Sequence, residues 1–177
     1  GIRGAWNWAT GGGSAGGDAG GPTAPLSSSM SARGGSVIQG LIQRGLSPTQ
    51  AAAVAGHWQS ESGLDPSKVN PNDRGMPSIG FAQWRGDRNQ GLRNFAARRG
   101  RNWNDQEVQL DYFMHELNNR EQGAGTRLRG AQTIEQASMA MSSFERYAGW
   151  NGRGRNAADV AHGQRQNQQR TAQARAF

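Results

Sequence analysis

The chain has 177 residues, 34% of them hydrophobic, a formal charge of +7 and no cysteine. The absence of cysteine excludes a disulfide framework together with thiolate-based zinc and nucleophile chemistry, so stability has to come from packing. No apolar run approaches the roughly 20 residues of a membrane span and no charged-then-apolar leader opens the chain, so neither a transmembrane helix nor a signal peptide is expected.

The 27 glycines crowd toward the N-terminus. The first 34 residues hold too few large apolar side chains for a core, which leaves about 140 for one ordinary domain. A start at Gly1-Ile2 rather than methionine reads as a piece of something longer. The basic residues are arginines apart from Lys68, and such a surface attracts polyanions: nucleic acid, anionic lipid or cell-wall polymer. A plain solubility surface accounts for the charge equally well.

Residues 1–35 are expected to form a flexible Gly/Ser/Pro-rich linker or tail, with Trp6 and Trp8 upstream as the end of a neighbouring element or a sticky tag. Order is expected from Ser36, where Ile38, Leu41 and Ile42 follow the i, i+3, i+4 spacing of an amphipathic helix ending at Gly45. Ser47-Pro48 supplies an N-cap hydroxyl and a first-turn proline. The alanine-rich run Ala51 to Ala55 then continues as helix through Trp58 to Glu61, with Gly63 as terminator. From Asp65 to Trp84 the periodicity vanishes among prolines and glycines, which predicts loops with a short hairpin.

A helix is expected over 87–99, and another after Asn104, read as its cap with Glu107 completing a box-like start. Leu110, Phe113, Met114 and Leu117 make the buried stripe of that second helix. Thr133 and Gln136 repeat the capping-box spacing before Ile134, Ala137, Met141 and Phe144, which share one helical face. A last helix is expected from about Gly154 through His162. Residues 164–177 then form a polar Gln/Arg-rich tail without an apolar face, which is expected to fray. The catalytic domain is bounded at 36–163, and the irregular stretch after its second helix is where a site belongs.

The informative segment is Glu61-Ser62-Gly63-Leu64-Asp65-Pro66, followed by Ile79-Gly80-Phe81-Ala82-Gln83-Trp84. Here the chain resembles the phage tail lysozyme family and, more distantly, goose-type lysozymes and soluble lytic transglycosylases, in which a helix ends at a catalytic Glu-Ser pair and a Gly-x-x-Gln strand follows. The helix entry Leu41 to Ala52, the segment Gln109-Leu110-Asp111-Tyr112-Phe113 with Glu116-Leu117, Phe144-Glu145 and the stretch Arg155 to Ala161 extend the likeness over about residues 37–163. It departs from the family after Phe144-Glu145, where Tyr147-Ala148-Gly149-Trp150 stands in place of a nearby proline.

The resemblance implies a mostly α (α+β) lysozyme-like domain with a short loop and β-hairpin region lining a cleft. It also implies a muramidase that cuts between N-acetylmuramic acid and N-acetylglucosamine, carried on a virion with other virion proteins and acting on the peptidoglycan glycan strand in the host periplasm during genome entry. A lytic transglycosylase cutting the same bond, and a non-catalytic wall-binding or structural virion module, are the alternatives. A DNA contact made by the arginines during ejection is a third alternative, as an added role that the basic charge and not the resemblance suggests.

Glu61 also has a physical argument of its own. Breaking a glycosidic bond needs a carboxylic acid that still holds its proton near neutral pH, because the alkoxide leaving group is poor without one. The partial negative charge of a helix C-terminus and apolar neighbours such as Trp58, one turn back, both disfavour the carboxylate. The competing reading is a solvated helix-end charge paired with Arg74 or Arg85.

Gln83 is read as a wall residue bonding acetamido or hydroxyl groups, and Trp84 as either a platform for a pyranose face or an aromatic lid over the core. Tyr147 is a candidate from the opposite wall or a core residue. Asp65, Asp73 and Asp87 lie near the loop region. Asp73 is the one read as a second carboxylate facing Glu61 and activating water; beside Arg74 it otherwise shapes a turn. Neither cofactor nor metal is expected: His57 and Glu61 make only two ligands, and Asn119 stands where a zinc-protease pattern starting at His115-Glu116 needs its second histidine.

Overall fold

In the computed structural model the described residues are 28–145 and 168–177. Their elements run α1 (Ser28–Gln43), α2 (Pro48–Ser62), β1 (Val69–Asp73), β2 (Met76–Ile79), β3 (Trp84–Arg85), α3 (Asp87–Arg98), α4 (Gln106–Asn118), α5 (Gln122–Gly130) and α6 (Ile134–Glu145). Residues 168–176 are again helical and are termed α7. This is the mostly helical, α+β lysozyme-like architecture expected, and no helix among the described residues is long and apolar enough to cross a membrane.

The core is organised around α2. Ser47 accepts a hydrogen bond from the Gln50 amide while the Gln50 side chain accepts one from the Ser47 amide, so both ends of a capping box close over Pro48. Every residue from Gln50 to Trp58 is buried, so α2 has no solvent face in that stretch. Its small side chains admit neighbours closely, with α1 and α6 packing on it directly. Trp58 leads the aromatic cluster, stacked on Phe81 at 5.2 Å between ring centroids and set edge-on to Phe113 at 5.0 Å.

The hairpin expected between Asp65 and Trp84 is present, and a short third strand extends it into an antiparallel sheet ordered β1-β2-β3. Asp73 pairs with Met76 around Arg74-Gly75, both of which have positive φ (52° and 87°), as a two-residue hairpin turn requires. A register irregularity between Asn70 and Asp73 bends β1.

Four sequence expectations are corrected. The first helix begins at Ser28 and not at Ser36. Gly34 and Gly35 read as linker by propensity, but Gly34 lies against the Phe177 ring, where a Cβ would come within 2.4 Å. The cap of α4 is Asp105, whose side chain accepts from the Val108 amide at 3.1 Å, and not Asn104, so no box with Glu107 forms. Helix α5 was not anticipated, because three of its nine residues are glycine; Gly125 is needed there, since a Cβ would stand 2.3 Å from the Leu117 carbonyl oxygen. Finally, the polar tail does not fray throughout, for Ala174 and Phe177 of the C-terminal segment are buried. The helix expected from Gly154 to His162 lies outside the described residues.

Candidate active site

Glu61 stands in the last turn of α2, as expected, with a side chain 21% exposed. The helix stops because Gly63 adopts the left-handed conformation (φ 63°) and its amide bonds the Gln59 carbonyl at 2.9 Å. Leu64 follows with φ 59°, a conformation costly for a branched side chain, and is held there with its side chain buried. Ser62 turns its hydroxyl back to the Trp58 carbonyl at 2.9 Å. The exit from α2 is thereby fixed, and Glu61 with it.

Opposite charge reaches Glu61 from an unexpected direction. Arg170 on α7 donates from Nη2 to Glu61 Oε1 at 2.5 Å, and its Nη1 lies 3.4 Å from His57 Nδ1. The pairing with Arg74 or Arg85 read from the sequence does not occur: Arg85 instead donates to the Asp73 and Arg74 carbonyls, and Arg74 meets Asp73 at 3.5 Å. Trp58 belongs to the aromatic core. His57 is fully buried, and that burial, reinforced by the Arg170 charge, holds its imidazole well below the ordinary value of 6.5, so the ring is neutral at neutral pH.

The Gly80–Gln83 turn is built from within. Gly80 (φ 78°) and Gln83 (φ 51°) are both left-handed, and the Gly80 amide bonds the Lys68 carbonyl at 2.9 Å. The Gln83 side chain donates to the carbonyls of Gly80 at 3.0 Å and Lys68 at 3.3 Å and accepts from the Ser78 hydroxyl at 2.8 Å. Its amide therefore braces the loop onto the base of the hairpin while remaining half-buried. Trp84 is only 1% exposed and donates its indole N–H to Glu116 at 2.5 Å, so of its two readings the core role is the one its surroundings support.

Asp73 ends β1 at the hairpin turn, with its carboxylate on Arg74. Asp65 accepts from the Ser67 amide at 2.8 Å within its own turn, and Asp87 opens α3 with a side chain 90% exposed. Tyr147 lies outside the described residues.

Sequence reasoning missed two residues. Arg170 carried no signal, since nothing local links positions so far apart. Gln109 did carry one, as a polar residue between Val108 and Leu110 inside the core stripe. Its Oε1 accepts from the Phe81 amide at 2.9 Å and its Nε2 donates to the carbonyls of Pro66 at 2.7 Å and Trp103 at 2.8 Å. One buried amide so joins the loop leaving Glu61 to the turn carrying Gln83. Beneath, Arg88 holds Glu116 at 2.8 Å and the Phe144 carbonyl at 3.0 Å, locking α3, α4 and α6 together.

A helix with a glutamate in its last turn, followed by a small antiparallel sheet and a helical bundle, defines a lysozyme-like domain. The chain belongs to the phage tail lysozyme family, whose model matches residues 33–177, and the family acts lytically on peptidoglycan. The match runs past residue 163, where the sequence reading closed the domain, and takes in α7. No curated protein matches the chain.

Proposed function

We propose that the protein is a muramidase that cuts the bond between N-acetylmuramic acid and N-acetylglucosamine, is carried on the virion and opens the cell wall during genome entry. The observation that carries this reading is Glu61 itself: a part-buried carboxyl in the last turn of α2, in a chain of a peptidoglycan-lytic family. Glu61 gives its proton to the glycosidic oxygen as the C–O bond breaks, and positive charge spreads over the sugar ring carbon and oxygen. Water then attacks the anomeric carbon, with Asp73 as the candidate base, and the products gain the elements of one water molecule. Gln83 supports the cleft wall through the loop it braces. The glycan strand is the substrate; neighbouring virion proteins and DNA are further partners, bound outside this chemistry.

A lytic transglycosylase is the second reading, and one observation favours it: Asp65 and Asp73 are both engaged locally, in a turn and in an ion pair. Under that reading the sugar's own 6-hydroxyl group attacks in place of water and leaves an anhydro product. Clearing of purified peptidoglycan by the wild type and by Glu61→Gln tests the assignment. Clearing by the wild type alone is expected, and equal clearing, or none by either, overturns it. Product masses separate hydrolysis, which adds water, from transglycosylation, which does not.

A further inference from the structure

Residues 170, 174 and 177 fall at i, i+4 and i+7, so they share one face of the C-terminal segment. Ala174 seats on Gly56 so closely that a Cβ there would stand 2.5 Å from the Ala174 backbone nitrogen, and Phe177 seats on Gly34. Gln173 meets Ser60, and Arg175 meets Glu135, at the rim. These anchors fix the helix register, and the register brings Arg170 onto Glu61 with only 8% of its side chain exposed.

An ion pair exists only while the carboxyl is charged, whereas a general acid has to carry a proton to the glycosidic oxygen. A carboxyl that carries the proton on either oxygen has given up the charge that holds the guanidinium. Resting on the assignment of Glu61 as the acid, we propose that Arg170 is a gate on it: the guanidinium caps Glu61 in the resting protein, and the incoming glycan strand displaces it before the proton is delivered. Arginine suits this use, since its long side chain swings away while Ala174 and Phe177 keep α7 in place. Until it swings, a fraction of the molecules is closed, and the apparent affinity for glycan is lowered in proportion to the open fraction.

Steady-state kinetics on soluble peptidoglycan strands test this with Arg170→Met and Arg170→Lys, beside wild type and Glu61→Gln. For Arg170→Met the expected result is a KM several-fold below wild type, and Arg170→Lys, which keeps the charge but not the fork, falls between. A residue that merely supports the fold would lower kcat or thermal stability without lowering KM. An unchanged or raised KM in a folded Arg170→Met variant overturns the gate while leaving Glu61 as the acid, provided Glu61→Gln is inactive. Retained activity in Glu61→Gln sinks the functional reading and the gate together. Should Arg170→Met fail to fold, the guanidinium NMR signals of Arg170 in the wild type decide. They are expected to move to solvent-like positions as strands are added to saturation, and signals that stay put overturn the gate.

Discussion

Gly80 lies against the Gln109 side chain so closely that a Cβ would come within 2.7 Å of Oε1, and its φ of 78° is one that L side chains rarely adopt. The two residues form one joint, because that Oε1 is also the acceptor for the Phe81 amide. Gly80→Ala is therefore expected to destabilise the protein by about 2 kcal/mol or more, from backbone strain and the collision with a buried amide. Gln109→Ala is expected to cost about 3 kcal/mol by orphaning the Phe81 amide and two carbonyls. Denaturant unfolding measures both. Values near zero would mean the joint is not a structural requirement.

Trp84 offers a separation of core from cleft. Its indole N–H is the partner of a Glu116 side chain that is 2% exposed, and its ring lies edge-on to Tyr112 at 5.5 Å. Trp84→Phe is expected to lower stability by about 2 kcal/mol through the lost charge-assisted bond, with KM for glycan unchanged. A raised KM with intact stability would instead make Trp84 a sugar platform.

Removing the acid should cost rate, and some stability with it. Glu61→Gln is expected to reduce lytic turnover by about a thousandfold, the scale of general acid catalysis, and to lower the thermal unfolding temperature, because the mostly buried Arg170 guanidinium keeps an amide oxygen to donate to but loses its counter-charge. Zymography and a calorimetric scan on the same preparation check the two halves of that statement.

His57 predicts a pH dependence of stability. Its ring is neutral in the folded protein below the ordinary value of 6.5, whereas the unfolded chain takes up a proton there. The unfolded state thus binds more protons, and stability falls as pH drops below 6.5, by at most about 1.4 kcal/mol per pH unit from this one residue, until the folded-state value is reached. Arg170, itself paired with Glu61, reinforces the effect, and a backbone hydrogen bond with Ser138 opposes it. Urea denaturation at a series of pH values should show a shallower acid decline in His57→Gln than in wild type. Parallel curves would remove His57 from the account.

Much of the architecture was legible because its signals are local. Ser47-Pro48 and Gly63 bracket α2 by cap chemistry alone, and the stripe Leu110, Phe113, Leu117 marks the inward face of α4 whatever packs on it. Asp105 displaced Asn104 as cap by one position, a choice between two competent side chains that spacing does not decide. Helix α5 escaped because its glycines are there for close approach and not for flexibility, and close approach is a property of the neighbour.

The site divides in the same way. Glu61 was readable, since a glutamate at a helix stop before Gly-x-x-Gln is a sequential pattern. The partner of Glu61 was not, because α7 holds on through Ala174 and Phe177 meeting glycines on two other helices, and such small contacts leave no apolar stripe. Sequence by itself determined where α2 begins, where it ends and which carboxyl stands at its end, for these follow from backbone hydrogen bonds satisfied within a few residues. Only the tertiary structure decided that Trp84 faces the core, that Gln83 spends its amide on its own loop, and that Arg170 sits on Glu61. Each of those depends on which surfaces meet once the chain has folded back on itself, and Coulomb and hydrogen-bond energies at about 3 Å carry no record of separation along the chain.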